Sequence, residues 1–302
     1  MGTSYSIKAV SKNNLFHYNK IQGDIDSLLF LYNSYFSNYI DSSEVSIINR
    51  NQSVEYIEVS DSFFDLLVEA EKININTNGA FDITIAPLIN LWGFNKIDKI
   101  IKPPTKKQID STLNLTGSDK FNLLFRKFKK NNPYLTLDFN AIAKGGGIDF
   151  LARYFEEIGI HDYLIEIGGE VYVSGYNDSG YMWRVGIQTP EKFSLNLINT
   201  IEVSNVAIAT SGTYENYFEI DGISYSHILD PISGIPIKHD LVSATVIAPS
   251  ALIADALATS FMVMGFDKAL DWARSNEGIE CYLIRKKDDG SYLEGKTDKF
   301  PI

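Results

Sequence analysis

Lys144 is followed by three glycines, Gly145, Gly146 and Gly147, and then by an amphipathic segment with Ile148, Leu151, Ala152 and Phe155 on one face. Glycines let a ligand approach the backbone. A helix start leaves amide donors free and its dipole favours an anion, and a lysine adds a point charge. This is a phosphate cradle in outline, and equally the outline of a flexible turn with a solvated lysine. The G-x-x-x-x-G-K-[ST] and G-x-G-x-x-G spacings are absent. Asp255 and Thr259, four apart among alanines, share one helix face. A carboxylate and a hydroxyl there suit a hard cation such as Mg2+, or the threonine bonds back into its own helix. His227 near Asp230 offers a base or a phosphate contact, or is a strand histidine beside a turn-forming Asp-Pro. Ser211-Gly212-Thr213-Tyr214 could bind phosphate, stack on a ring, or simply turn. Ser43, Glu44 and Ser46 could equally be caps.

These residues need elements to carry them. The patterning predicts a strand over 3–10 and a helix over 21–40 with apolar residues at Ile21, Ile25, Leu28, Tyr32, Tyr35 and Tyr39. A polar loop is expected over 41–49, a short strand over 54–59, and a helix capped by Asp61 or Ser62 that closes at Asn78-Gly79. Pro87 and Trp92 make 79–93 a shaped loop or short helix rather than a plain strand. Pro103-Pro104-Thr105 starts a short helix, and a hairpin is expected to end at Leu137. Gly159 closes the helix that begins at the glycine run. Strands follow over 183–188, 197–203 and 206–210, then a hairpin turning at Asp221-Gly222. A strand over 241–248 leads to a helix with Pro249 near its first position, ended by Gly265. A further helix over 266–275 and strands over 280–285 and 291–293 complete the chain. Strands dominate the second half and many are hairpin-linked, so the fold class is α+β with largely antiparallel sheets. No composition shift marks a linker, so the 302 residues form one domain or two intertwined subdomains.

Composition narrows the function. The chain is 45% hydrophobic and 22% charged, with a formal charge of -11. No basic stripe suits nucleic acid; Arg126, Lys127, Lys129 and Lys130 read as a solvated hairpin face. One cysteine, Cys281, rules out an intrachain disulfide and a cysteine-based metal site. His17, His161, His227 and His239 lack zinc-hydrolase spacing. No apolar run reaches membrane-spanning length. The chain opens almost directly on a strand-like segment, and the expectation is that a targeting segment has been removed ahead of it.

The blocks taken together resemble the ApbE family, the FAD:protein FMN transferases. The matching stretches are Met-Gly-Thr at 1–3, Ser43 to Asn49, Ala80-Phe-Asp-Ile-Thr-Ile-Ala-Pro-Leu88, Leu91-Trp-Gly-Phe94, Asp138 to Asp149, Ile167-Gly-Gly-Glu170, Ala209 to Tyr214, His227 to Gly234, and Ala254-Asp-Ala-Leu-Ala-Thr259. They cover nearly the whole chain in the family's order. The resemblance implies a T-fold-related architecture with FAD in a cleft between subdomains. It implies an enzyme that moves FMN from FAD, with Mg2+, onto a serine or threonine hydroxyl of a target flavoprotein and releases AMP. Such targets are subunits of Na+-translocating NADH:quinone reductases and related electron-transfer complexes.

Carried over by position, Asp255, Thr259, Ala258 and the Ala141 carbonyl match the metal site. Met1, Asn49, Ala80, Phe81, Asp82, Asp138, Ala141, Lys144, Gly169, Thr213, Tyr214 and His227 fall at flavin-contacting positions, with His227 and Asp255 implicated in transfer. Phe81, Trp92 and Tyr214 would suit a flavin or adenine face. Gly146 departs from the aromatic that usually follows Lys-Gly. The family's habit implies a periplasmic protein tethered to the inner membrane by an N-terminal lipid anchor. A Mg2+-dependent FAD pyrophosphatase or a non-catalytic FAD-binding protein are the alternatives.

Overall fold

The computed structural model describes residues 2–11, 18–94, 102–191, 196–213, 217–220 and 223–302. Met1, Tyr214 and the Asp221-Gly222 turn therefore lie outside the described residues. The chain divides into two compact units, Met1–Tyr32 with Ile142–Glu215 and Asp240–Ile302, and Asn33–Ala141 with Asn216–His239.

The first unit is built on a seven-stranded sheet. Its strands are β1 (Tyr5–Ala9), β5 (Tyr163–Ile167), β6 (Glu170–Ser174), β9 (Val206–Gly212), β12 (Leu241–Ala248), β13 (Glu280–Lys286) and β14 (Tyr292–Lys296), in that spatial order. Every neighbouring pair is antiparallel, as the hairpin-rich sequence implies. The hairpin β7 (Trp183–Gln188) and β8 (Leu197–Val203) pairs separately. Alternation along β7 buries Trp183, Val185 and Ile187 in a cluster with Val171, Val173, Ile208, Ile247 and Tyr282 of the sheet.

The helices α6 (Ala143–Glu157), α7 (Ala251–Met264) and α8 (Phe266–Arg274) belong to the same unit. β12 is buried along nearly its whole length, as a strand covered on both faces must be. Small residues on the sheet (Ala207, Ala209, Ala244, Ala248) and on α7 (Ala251, Ala254, Ala258) are all buried, which allows close approach of helix to strand. The Ser250 side chain caps α7 by accepting from the Ile253 N–H at 3.2 Å, and Gly265 (φ 80°) ends it. Pro249 thus stands one residue ahead of the cap rather than inside the first turn.

The second unit carries α2 (Glu44–Arg50), α3 (Asp61–Asn76), α4 (Ala86–Leu91), α5 (Lys106–Leu113) and a sheet ordered β2 (Ile57–Glu58), β4 (Lys127–Lys130), β3 (Phe121–Leu124). Phe36, Phe63 and Phe139 form an aromatic core with centroids 5.4 to 5.7 Å apart. The segment expected as a polar loop at 41–49 is largely α2, with Ser43 as its cap accepting from Ser46 N–H. Ser60, not Asp61 or Ser62, caps α3. Thr105 and Gln108 form a reciprocal capping box on α5. The hairpin expected to reach Leu137 ends at Lys130. Residues 135–139 are not a strand; a side chain holds them in place, as described below.

Candidate functional site

In the first unit, α6 and α7 touch backbone to backbone. A Cβ added at Gly145 would fall 2.1 Å from the Ala251 carbonyl oxygen, so only glycine permits the contact. The amide spent there also changes the reading of the glycine run. Gly145 N–H donates to Asp255 Oδ2 at 2.9 Å. The anion met by this helix start is thus a protein carboxylate, with the Gly145 amide committed to it rather than free for phosphate. Asp149, one turn on, accepts from Ala251 N–H and Leu252 N–H at 2.9 Å each and so caps α7 from α6. Lys144, Asp255 and Thr259 are placed by this one helix pair.

Lys144 Nζ bonds to Glu170 Oε1 and lies 3.7 Å from Asp255 Oδ1. Glu170 begins β6 directly after the Gly168-Gly169 turn, whose φ angles of 61° and 102° favour glycine. A Cβ at Gly168 would also come within 3.2 Å of Lys144 Cδ. The same turn therefore delivers Glu170 and clears space for the lysine stem. Asp255 and Glu170 are each 2% exposed. Burial pushes both carboxyls up, Asp255 adds to the rise at Glu170, and Lys144 opposes it at both. Two buried carboxylates thus share this ammonium, and Glu170 Oε2 is buried with no hydrogen-bond partner among the described residues. Thr259 Oγ1 sits 3.3 Å from Ser211 Oγ. An all-oxygen donor set with acidic excess fits a hard cation. Asp255 and Thr259 would supply side-chain oxygens, and Ala258 on the same helix has only its carbonyl to offer; Ala141 is the last residue of the second unit's long segment. Gly169, exposed, donates to Glu166, and Thr213 N–H donates to Val242.

The second unit gathers a different set. The Asn49 side chain clamps Leu137 both ways: Nδ2 donates to the Leu137 carbonyl at 2.9 Å, and Oδ1 accepts the Leu137 N–H at 2.7 Å. The next residue, Asp138, donates its N–H to the Ile83 carbonyl at 2.7 Å. Asn49, Asp138 and the segment with Ala80, Phe81 and Asp82 are therefore neighbours. Asp82 accepts from the Thr84 amide and hydroxyl, and Asp138 from the Asn140 amide and side chain. Burial raises both carboxyls. A cavity of about 340 Å3 opens beside Asp82, lined also by Asn74, Gly79, Thr116, Asp119 and Ile232.

Two expectations are corrected in this unit, for Trp92 and Lys130, and Asp230 takes the turn-forming alternative. Trp92 is a core residue, stacked near Tyr225 and donating Nε1–H to the Gly234 carbonyl at 2.8 Å, so it is not a ring-binding surface. Asp230 is spent on its own turn, accepting from Ile232 N–H and Ser233 Oγ–H, and His227 is half-buried. Lys130 is not solvated: it is 2% exposed and donates to the Asn49 and Asn51 carbonyls at 3.3 and 2.8 Å.

A sequence profile described as the ApbE family matches residues 1–283. The chain belongs to the ApbE family. Among its ApbE relatives, the FAD:protein FMN transferase of Vibrio cholerae is 39% identical over 290 residues, covering 96% of this chain and 86% of the relative. That of Haemophilus influenzae is 37% identical over 297 residues, with the same coverages. The solved flavin transferase ApbE from Vibrio cholerae matches with a TM-score of 0.90 at 37% identity, covering 99% of this chain and 95% of that one. The flavinyl transferase ApbE from Pseudomonas stutzeri, in its apo form, matches with a TM-score of 0.88 at 32% identity, covering 97% and 91%.

Within this ApbE chain, residue-by-residue reading missed Glu170 and Asp149 as parts of the first cluster, and had Ser211 only as part of a possible phosphate-binding turn. Only the double glycine before Glu170 hinted at a shaped turn there. Lys130 had a readable signal, since it lies two residues beyond buried Phe128 on the same strand face.

Proposed function

We propose that this chain is a Mg2+-dependent FAD:protein FMN transferase. The observation that carries the reading is half-buried Lys144 beside buried Asp255, with Thr259 one turn on, in a chain whose relatives bear that name. In the reaction a serine or threonine hydroxyl oxygen of a target flavoprotein bonds to the FMN phosphorus of FAD. The phosphorus–oxygen bond to AMP breaks, the hydroxyl proton leaves, and AMP is released. Asp255 and Thr259 would hold the cation, with carbonyl help from Ala141 and Ala258. When bound, the cation supplies positive charge to the pyrophosphate oxygens. Lys144 adds a fixed charge from the same helix start. Asn49, Asp138 and the 80–82 segment bind and orient FAD, joined by Gly169 and Thr213. Removal of the hydroxyl proton is assigned to His227, an imidazole suited to that exchange near neutral pH. The acceptors are respiratory flavoproteins of the NADH:quinone reductase type, and the working location is the periplasmic face of the inner membrane.

The test is one reaction with purified chain, FAD, Mg2+ and a domain bearing an acceptor hydroxyl, with an EDTA control. AMP is followed by chromatography and covalent flavin by in-gel fluorescence. The expected result is labelled acceptor together with Mg2+-dependent AMP. AMP without labelled acceptor would replace the transferase by an FAD pyrophosphatase in which water takes the hydroxyl's place. Bound FAD with neither product would make the chain a flavin carrier.

A further inference from the structure

Lys144 has two buried carboxylates within reach and does not treat them alike. Its Nζ is hydrogen-bonded to Glu170 Oε1, while Asp255 Oδ1 stands 3.7 Å away. At that separation the ammonium attracts the carboxylate without donating to it. Asp255 accepts the Gly145 amide on its other oxygen, Oδ2, and takes a further backbone hydrogen bond from Lys144, so the helix start fixes it while Oδ1 faces the ammonium. Oδ1 is therefore the oxygen on which a lysine and a divalent cation would compete. The turn that carries Glu170 needs glycine at 168, where a Cβ would crowd Thr3 first and then the Lys144 stem. Glu170 leaves Oε2 buried and unpartnered among the described residues. An unpaired buried carboxylate oxygen costs stability.

We propose that Glu170 is a positioning residue that holds the Lys144 ammonium off Asp255 Oδ1 and so keeps that oxygen open to a divalent cation. This rests on the reading of Asp255 and Thr259 as cation ligands. A glutamate that merely added negative charge to the site would act the same wherever its carboxylate stood. A glutamate that restrains the lysine must have both the charge and the reach. Shortening it by one methylene removes the reach and keeps the charge. Neutralising it keeps the reach and loosens the hold.

Both changes are made in the full chain, and binding of Mn2+ is read by electron paramagnetic resonance in the presence of FAD, which needs no turnover. E170D and E170Q should each weaken Mn2+ binding by about tenfold, the scale of one hydrogen bond to a charged group. Replacing Lys144 by methionine in either background should bring the affinity back to the wild-type value or beyond, because no ammonium is left to occupy Oδ1. E170D binding Mn2+ as tightly as wild type would overturn the proposal. So would a loss that persists unchanged in E170Q/K144M. Circular dichroism identifies a variant that has not folded, and the smaller change, E170D, then decides. A wild-type chain that binds no Mn2+ would remove the cation reading itself, and this inference with it.

Discussion

The two units hold their withdrawn acids in different ways. In the second, Asp82 and Asp138 are each held first by a residue two places along the chain, Thr84 and Asn140, and Asp138 takes one further side-chain hydrogen bond, from Asn38. In the first, Asp149 reaches amides 102 and 103 residues away, and Asp255 reaches one 110 residues away. Burial raises all four carboxyls, so the cost of withdrawing them is common to both units. What differs is the source of the compensation. A locally satisfied acid fixes the shape of its own turn. An acid satisfied at long range ties two elements together, and its chemistry depends on both staying in place.

The sharpest way to break this contrast is to remove Asp255. D255A should lower Mg2+-dependent AMP release by about a thousandfold or more, since it deletes the carboxylate of the cation site and the partner of Lys144. D82N and D138N should cost turnover less, because their neighbours can still hold the turns. Equal losses at all three positions would erase the distinction. A D255A chain with a tenth of wild-type activity would end the metal assignment.

Substitution at Gly145 tests the tie without touching a charged group. The new methyl of G145A would meet the Ala251 carbonyl, so α6 and α7 must separate. Overpacking of this kind costs about 1–3 kcal/mol, measurable as a lower midpoint in urea. Because Lys144 and Asp255 ride on the two helices, activity should fall further than stability alone explains. D149N is a milder version. It removes the charge from a cap on the α7 amides and should cost about 1 kcal/mol, read from the same titration. Unchanged unfolding in D149N would show that Ser250 caps the helix unaided.

These cases also show why some features were legible in the sequence and others were not. The helix start at Thr105 and the Asn78-Gly79 stop are local, and residue type alone reveals them. The 41–49 segment looked like a loop because its polar residues hide a seven-residue helix whose cap, Ser43, is itself buried. Leu137 looked like a strand end because its neighbours are apolar. Its backbone groups are instead satisfied by the Asn49 side chain, a partner 88 residues away. Trp92 reads as apolar and aromatic whether it lines a pocket or fills a core, and only packing separates the two. Glu170 was invisible as a partner of Lys144, since 26 residues and a hairpin turn lie between them. The family blocks could be matched in order, but the pairing inside them is tertiary.

Lys130 sharpens the comparison by showing that the second unit also makes long-range polar ties, here through a buried cation and an amide. It spans 81 residues to the Asn49 carbonyl and 79 to that of Asn51, at the end of α2. A cation there favours the helix dipole, yet burial lowers its pKa from 10.5 to about 8. The consequence has a definite sign. Between these two values the unfolded chain holds a proton that the folded chain has released. Stability must therefore rise with pH across that window, and the gain is lost as pH falls through about 8. K130M carries no such proton, so the difference in unfolding free energy between wild type and K130M should shift in favour of wild type from pH 8 to pH 9.5, a window of about 1.5 pH units in which each unit can contribute at most about 1.4 kcal/mol. Denaturant titrations at the two pH values measure it. A flat difference would mean that Lys130 keeps its proton in the fold, held by the two carbonyls more strongly than burial expels it.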